Sequence, residues 1–172
     1  MKKGKMYYQI KYDSPIGRLT VASDEAAIIG LWIDGQKYYC EGVDSQLEDG
    51  EGIAVLSEAR EWLDRYFGGE EPSIEGLMLR PMGSAFRQAV WQILCEIPYG
   101  GTITYGEIAK RIAREMRRET MSAQAVGGAV GHNPISLIIP CHRVVGANGK
   151  LTGYAGGVDK KEWLLRHEGV IE

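Results

Sequence analysis

The hydrophobic periodicity of this chain changes once, and that change limits the fold more than any other feature. Residues 6–40 alternate apolar and polar positions in short runs separated by turn residues, a pattern typical of β-strands. Between Val55 and Phe67 the apolar residues recur every three or four positions, which predicts an amphipathic helix that ends at Gly68-Gly69. The remainder is helical and loop-rich. The chain is therefore predicted to be an α+β protein with two domains, residues 1–80 and 81–172.

The first domain is expected to be an antiparallel meander with one helix on one face of the sheet. Ser14-Pro15-Ile16-Gly17 has the composition of a turn, and Asp34-Gly35 is a strong hairpin signal. The strands predicted around these turns are Tyr7–Tyr12, Arg18–Ala22, Ala27–Ile33 and Gln36–Cys40. An acidic loop over residues 41–52 then leads to the helix.

Composition and charge exclude several functional classes. The longest apolar run, Ala26–Ile33, has eight residues and is too short to span a bilayer, so we expect no membrane association and a cytoplasmic location. The three cysteines are widely spaced and lack a CxxC pair, which excludes a disulfide framework and a cysteine-rich zinc site. Residues 1–80 contain 9 Lys and Arg against 15 Asp and Glu, and residues 81–172 contain 11 against 8. The basic second half is compatible with a bound polyanion, although from charge alone a chance distribution is the simpler explanation.

The second domain is predicted to contain a pair of helices joined by a turn. Ser84 and Thr104 can cap the helices that follow them. Ser122 opens a further helix, Ala123–Gly131, which consists almost entirely of small residues and has Gly127-Gly128 in its interior. Interior glycines cost about 1 kcal/mol each relative to alanine. This helix either approaches another surface closely, as in a helix-turn-helix, or packs tightly inside the domain, and the pattern leaves both interpretations open.

A thiol and an imidazole lie side by side at Cys141-His142, directly after Pro140. A cysteine is nucleophilic only as a thiolate, and a histidine can take its proton directly or through water. Adjacent residues of a strand point to opposite faces, so direct contact needs a turn here, which Pro140 favours. By itself the pair is a weak signal, because a lone cysteine is more often an inert buried residue. Cys40 and Cys95 are interpreted as structural residues of that kind.

Glu168 is a candidate partner of this pair. Asp159-Lys160-Lys161-Glu162 has the form of a capping box for a short helix that ends at Gly169. Glu168 would then lie in the last turn, where a carboxylate opposes the helix dipole. That disfavoured position suggests a role such as orienting His142, whereas a solvated surface glutamate is the commoner explanation.

The segment Ile139–Val145 is accompanied by other motifs, with Asn133-Pro134 before it and Gly153–Gly157 after it. The further motifs are Phe86–Trp91, Ile97–Gly100, Thr104-Tyr105, Ala125–Gly127 and Lys161–Gly169. Together they cover nearly all of residues 83–169 and resemble the O6-alkylguanine-DNA alkyltransferase family, whereas the first half matches weakly, mainly through Ser14–Gly17. The resemblance implies a ribonuclease-H-like first domain and a helical, winged-helix-like second domain with a helix-turn-helix.

The resemblance implies a DNA repair protein that flips O6-alkylguanine out of double-stranded DNA and moves the alkyl group irreversibly onto its own cysteine. The family's nucleophile falls on Cys141, and His142 and Glu168 complete a Glu-His-water-Cys relay. Tyr105 would donate a proton toward the base, and Asn133 would tie the helix-turn-helix to the active-site segment. Each chain would act once.

The resemblance also implies a DNA-binding helix in the minor groove and a pocket for the flipped base. The Cys141 and Val144 carbonyls would accept from the guanine amino group, and Tyr154 would form a wall of the pocket. Further residues expected to bind DNA or substrate are Ser122, Ala125, Gly127, Ala155 and Gly156. Gln124 stands where many members place an arginine that fills the gap left by the base, so weaker DNA binding or slower base flipping is expected.

Three charged residues near these motifs have other expected roles. Arg143 is expected to pair within its domain. Lys161 and Arg166 are expected either to contact phosphate or to lie on a solvated face. Some family members bind zinc in the first half, but here that half has Cys40 and no histidine, so we expect no metal and no cofactor.

The sequence leaves three alternatives to alkyl transfer by a monomer. The first is a protein that binds alkylated DNA without repairing it, although such proteins lack the nucleophile. The second is a cysteine hydrolase that uses Cys141 and His142 and turns over repeatedly. The third is a winged-helix regulator with a redox-sensing thiol, which would dimerise on a palindrome.

Overall fold

The structure is a computed structural model that describes residues 6–41, 43 and 46–172. The chain divides into two compact units. The first contains the residues up to Met82 together with Pro134–Ile138, and the second contains Gly83–Asn133 and Ile139–Glu172. No helix in the described part of the chain is both long enough and apolar enough to cross a membrane.

The first unit is a four-stranded sheet with one helix. Its elements are β1 (Tyr7–Ser14), β2 (Gly17–Ser23), β3 (Ile28–Ile33), β4 (Leu47–Asp49) and α1 (Ala54–Phe67). The strand order is β3-β2-β1-β4, in which β2 is antiparallel to both neighbours and β4 is parallel to β1. The predicted turn joins β1 to β2, where Ser14 Oγ accepts from the Ile16 N–H and Gly17 adopts a φ of 112°.

The predicted antiparallel strand Gln36–Cys40 is wrong. The Gln36 side chain turns back and accepts a hydrogen bond from the Ile33 N–H at 2.7 Å, and Tyr38 and Cys40 have φ values of 61° and 56°. Residues in this left-handed region cannot continue a strand. Cys40 therefore lies in a turn, and β4 forms later, within the segment expected to be a loop.

Strand β2 is buried on both faces of the sheet, whereas its alternating pattern predicted one buried and one exposed face. Residues Leu19–Ser23 are all buried. The Thr20 hydroxyl is paired with Lys11 Nζ, Asp34 Oδ1 and the Tyr39 hydroxyl at 2.6–3.1 Å. Because the chain after β3 folds over this face instead of extending the sheet, a polar residue there is hydrogen-bonded rather than solvated.

Helix α1 forms as its periodicity predicts. Its buried residues are Val55, Leu56, Ala59, Trp62, Leu63 and Tyr66. The helix ends at the predicted glycine pair, with Gly68 as the C-cap and Gly69 at a φ of 92°. It packs on β1, β2 and β3 and so supplies one side of the core of the first unit.

The second unit contains four α-helices and a small parallel pair of strands among the described residues. They are α2 (Ala85–Cys95), β5 (Ile103–Thr104), α3 (Tyr105–Glu115), α4 (Ala123–Gly131), β6 (Val144–Val145) and α5 (Val158–His167). As predicted, Ser84, Thr104 and Ser122 cap α2, α3 and α4 by accepting the N–H three residues ahead. Helix α4 packs on α2 and α3, and Trp91 Nε1 donates to the Ala129 carbonyl at 2.8 Å.

The predicted capping box of the last helix is wrong. Helix α5 begins at Val158, its N-cap is Gly157 with a φ of 103°, and no side chain caps it. Asp159 lies inside the first turn, where its carboxylate still favours the helix dipole. Glu168 is the C-cap residue, one position beyond the helix.

Candidate active site

The segment that carries Cys141 is a tight turn. Cys141–Arg143 form one turn of 3-10 helix, and the Arg143 N–H donates to the Pro140 carbonyl at 3.0 Å. Val144 then pairs with Ile103 in the parallel ladder between β5 and β6. The turn predicted from Pro140 is thus present. Cys141 is 5% exposed and His142 is fully buried, so the thiol and the imidazole lie in a largely dry environment.

Glu168 is the centre of a buried network. Its Oε2 lies 2.6 Å from His142 Nε2, and its two oxygens accept from Arg143 Nε and Nη2 at 2.7 and 3.1 Å. The Gly100 N–H donates to Oε1 at 3.3 Å. Arg143 also donates to the Ile97 carbonyl at 2.8 Å. Arg143 therefore pairs within its own unit. Glu168 is buried, so the alternative interpretation of it as a solvated surface glutamate is wrong.

These contacts determine which nitrogen of His142 carries the proton. Burial lowers the pKa of His142, and it outweighs the attraction of the Glu168 carboxylate, so the ring is neutral. A neutral imidazole that faces a carboxylate donates from that nitrogen, which here is Nε2. Nδ1 then keeps its lone pair, and it has no hydrogen-bond partner among the residues that the structure describes. His142 Nδ1 is thus available as a base, on the residue that directly follows Cys141.

Tyr105 is the first residue of α3 and lies close to the thiol. Burial raises the pKa of its hydroxyl, the Thr152 side chain partly opposes this shift, and the charge of Cys141 adds to it. A β-carbon built on Gly127 of α4 would lie 3.9 Å from the Tyr105 ring, which is an ordinary van der Waals contact, so the packing there does not exclude a side chain. Gly128 faces open space instead. Internal packing therefore requires neither glycine of the pair.

Lys161 is a feature that sequence analysis missed. It was expected to contact phosphate or solvent, yet it is 0% exposed and donates from Nζ to the Thr152 and Gly153 carbonyls at 2.7 and 3.3 Å. No local signal in the sequence marks these two carbonyls, which lie nine and eight residues before Lys161 in the chain. Arg166 is on the exposed side and pairs with Glu162 at 2.7 Å.

The remaining predicted residues fall into three groups. Asn133 is buried, and its Nδ2 donates to the Ile139 carbonyl at 2.8 Å, which joins the end of α4 to the segment before Cys141. Val144 is buried, and Tyr154, Ala155 and Gly156 are partly buried. Ser122, Gln124 and Ala125 are exposed at the start of α4.

A basic groove lies beside the start of α4. It has a volume of about 620 Å³ and is lined by α3 and the connection to α4. The charged residues that line it are Lys110, Arg114, Arg118 and Glu119. The groove is therefore positive, and it adjoins the exposed end of the small-residue helix.

The other two cysteines have surroundings that disfavour the thiolate. Burial raises the pKa of both the Cys40 and Cys95 thiols. A raised pKa keeps a thiol protonated and unreactive at neutral pH. Both are unlike Cys141, which has a neutral imidazole as its neighbour.

Comparison with known proteins covers both halves of the chain. The family described as 6-O-methylguanine DNA methyltransferase matches through its ribonuclease-like domain at residues 6–81 and its DNA binding domain at residues 85–170. The Methanosarcina acetivorans methylated-DNA--protein-cysteine methyltransferase is 47% identical over 164 residues, which are 95% of this chain and 99% of the relative. The protein of that name from Haemophilus influenzae is 41% identical over 94% of this chain and 86% of its own length.

Solved structures give the same result. The Mycobacterium tuberculosis O6-methylguanine methyltransferase superposes with a TM-score of 0.78 at 41% identity, covering 95% of this chain and 93% of that protein. The structure of Mycobacterium tuberculosis OGT in complex with DNA superposes with a TM-score of 0.78 at 42% identity, covering 95% of this chain and 92% of that protein. A match of this extent in sequence, fold and both family domains shows that the chain belongs to the 6-O-methylguanine DNA methyltransferase family.

Proposed function

We propose that this protein repairs O6-alkylguanine in double-stranded DNA by moving the alkyl group onto Cys141, irreversibly and once per chain. The observation that carries the proposal is the buried His142, which is neutral and has Nε2 held by Glu168. This arrangement leaves Nδ1 as the base. The membership of the family, whose curated relatives are named for transfer to a protein cysteine, supports the same reaction.

The transfer step follows from these groups. The Cys141 thiol loses its proton to His142 Nδ1 through a bridging water, and Glu168 stabilises the imidazolium that forms. The thiolate Sγ attacks the alkyl carbon, a C–S bond forms, and the C–O6 bond breaks with its electron pair left on guanine. Tyr105 supplies a proton toward the guanine, which its raised pKa permits because the hydroxyl stays protonated. These transfers leave His142 as an imidazolium and Tyr105 as a phenolate. Proton exchange with solvent returns both to neutral, so the net change moves one proton from the thiol to the base and consumes no further reagent.

DNA binding is assigned to α4 and its surroundings. Ser122, Gln124 and Ala125 are exposed at its start, and Gly128 faces open space, so the backbone of α4 can approach a DNA groove closely. The adjoining basic groove supplies charge for the phosphates. The flipped base is expected to be bound by main-chain carbonyls near Cys141. The carbonyl of Cys141 accepts the Val144 N–H, and a carbonyl oxygen can accept a second hydrogen bond.

The remaining assignments complete the proposal. Tyr154, Ala155 and Gly156 line the pocket for the base, together with Val144. Asn133 fixes the Cys141 segment relative to α4 through its bond to the Ile139 carbonyl. The protein acts as a monomer in the cytoplasm, with the domains 1–80 and 81–172 predicted from the sequence.

The stoichiometry of repair tests the proposal against a hydrolase. The protein is mixed with a large molar excess of duplex containing O6-methylguanine, and the restored guanine is counted over time. We expect the count to stop at one per chain, because the thioether at Cys141 has no route back to a thiol. Continued turnover would contradict the proposal. Binding of the same duplex without any repair would favour the lesion-binding alternative, and Cys141→Ser provides the reference for that behaviour.

A further inference from the structure

The connection between α3 and α4 is longer than a helix-turn-helix needs. Helix α3 ends at Glu115 and α4 begins at Ala123, which leaves seven residues, 116–122, between them. A turn of about three or four residues is enough to join two such helices. The connection begins with the exposed residues Met116-Arg117-Arg118, so its extra length adds charge at the surface and no buried side chain there. Joining the two helices therefore does not explain it.

Arg117 adopts a backbone conformation that favours glycine. Its φ is 55°, its N–H donates to the Arg114 carbonyl at 3.2 Å, and the Arg118 N–H donates to the Ala113 carbonyl at 2.8 Å. These two bonds form a Schellman motif, in which the left-handed position is usually glycine because a β-carbon disfavours that conformation. An arginine at this position costs stability that a glycine would not cost. Residues held in such conformations cluster at functional sites, so the arginine side chain is expected to have a function.

Four exposed cations of α3 and the connection lack an ionic partner. No salt bridge or side-chain hydrogen bond joins them to the part of the chain that the structure describes, residues 6–41, 43 and 46–172. By contrast, Arg111 of the same helix pairs with Glu96 at 2.8 Å. Like charges four residues apart destabilise a helix, so stability does not account for the set. We call it the α3 basic patch, and its members are Lys110, Arg114, Arg117 and Arg118.

The surroundings of the patch fit the backbone of a DNA strand. Three of its cations line the groove beside α4, and the residues between them are small, so a polymer backbone can lie close to the helix. Lys110 and Arg114 are one turn apart, about 6 Å along the helix axis. One DNA strand carries a phosphate about every 3.4 Å of the duplex axis, so such a row reaches more than one phosphate. The groove also reaches Ala123, where the proposed DNA-binding helix α4 begins.

We propose that the α3 basic patch is a second DNA contact, which binds the phosphate backbone beside the site of α4 and provides affinity for undamaged duplex. The inference rests on the proposed function for its partner, DNA. Phosphate contacts carry no information about the base, so this surface binds whether or not a lesion is present. The exposed start of α4 and the base pocket then act only where the alkylated guanine is found.

The test measures binding of an unmodified duplex over a series of salt concentrations. Arg117→Gly removes one side chain of the patch and places at this φ the residue that the Schellman motif favours. The double variant Arg114→Gln with Arg118→Gln removes two charges from the groove. Arg111→Gln is the matched control, because it lies on the same helix and removes a charge that Glu96 already neutralises.

Each lost phosphate contact is expected to reduce the slope of log K against log salt by about 0.9. The double variant should therefore lose about 1.8 from the slope, so that its affinity falls about twelve-fold less than that of wild type between about 50 and 200 mM salt. Arg117→Gly is expected to lose about 0.9 from the slope and to melt no lower than wild type, because the strain at this position is relieved. Arg111→Gln is expected to keep the wild-type slope.

Wild-type slopes in both Arg117→Gly and the double variant would overturn the proposal. An equal reduction in Arg111→Gln would overturn it too, because total charge and not the patch would then determine binding. A polyglutamate peptide that binds wild type as tightly as the duplex, and is lost in the same variants, would assign the patch to an acidic protein instead. A wild-type protein that gives the predicted slopes but takes no alkyl group from DNA would refute the proposed function and leave the second contact intact.

Discussion

Glu168→Gln is the substitution that most directly probes the buried network. The glutamine keeps the shape of the side chain and removes its charge. Arg143, whose side chain is 10% exposed, then loses the carboxylate that accepts from Nε and Nη2 and keeps the Ile97 carbonyl as a partner. Removing one partner of a buried ion pair costs about 3–5 kcal/mol. At about 2–4 °C per kcal/mol for a chain of this length, the melting temperature is expected to fall by roughly 6–20 °C.

The same substitution changes the protonation of His142. A carboxylate can only accept, so it holds the proton on Nε2, whereas an amide can either accept or donate. The proton can then lie on Nδ1 instead of Nε2, and in that form Nδ1 cannot act as the base. Losing a group that orients a catalytic histidine is expected to slow alkyl transfer by about 100-fold, by analogy with the 10–100-fold effects of orienting residues in metal sites. DNA binding through α4 is expected to be unchanged, because no part of the network is exposed at that helix.

Calorimetry, single-turnover transfer and DNA binding are measured on one preparation, below the melting temperature of the variant. Glu162→Gln is the control, because Glu162 lies on α5 in an exposed pair with Arg166. Exposed pairs contribute about 0–1 kcal/mol, so the control is expected to melt within a few degrees of wild type. A Glu168→Gln variant that melts and reacts like Glu162→Gln would refute the account of the network.

Four further predictions concern other parts of the second unit. Asn133→Ala removes one of the two hydrogen bonds to the Ile139 carbonyl, which keeps the Cys141 N–H as a donor, and is expected to cost about 0.5–1.5 kcal/mol, which denaturant titration would measure. Gly128→Ala has open space and is expected to gain about 0.5–1 kcal/mol in stability while weakening DNA binding, a trade-off that melting and binding assays would show. Gln124→Arg is expected to tighten DNA binding and to steepen the plot of log K against log salt by about 0.9, and an unchanged salt slope would contradict the role given to this position. The pKa of His142 lies below its ordinary value of 6.5 in the folded protein, so the unfolded chain binds more protons just below that pH. The free energy of unfolding is therefore expected to decrease as the pH falls from 6.5. The transfer rate is expected to decline only below that pH, where His142 becomes protonated and can no longer act as the base. A transfer rate that declines from a higher pH would show that the ring is not neutral.

Local signals in the sequence predicted the parts of the site that depend on neighbouring residues. Ser84, Thr104 and Ser122 cap their helices because each hydroxyl reaches an N–H three residues ahead, an interaction that the sequence alone contains. Pro140 likewise favoured the turn that carries Cys141. The fold class and the family followed from such local motifs taken together.

Features that depend on long-range packing were not predictable in the same way. The Asp34-Gly35 signal was correct for a turn, but Gln36 binds back to Ile33, and the chain covers the sheet instead of extending it. The burial of Lys161 depends on where α5 begins and on carbonyls eight and nine residues earlier in the chain. Local propensity contains no information on such contacts, so Lys161 was expected to contact phosphate or to lie on a solvated face.

The central claim is that Cys141 is the alkyl acceptor, and one measurement tests it directly. The protein is incubated with a duplex containing a single O6-methylguanine and then analysed by intact and peptide mass spectrometry, with Cys141→Ser alongside. The account predicts one methyl group per chain, located on the Cys141 peptide, with Cys40 and Cys95 unmodified and no methyl group on the variant. A methyl group on another residue, or an unmodified Cys141 after the DNA has been repaired, would contradict it.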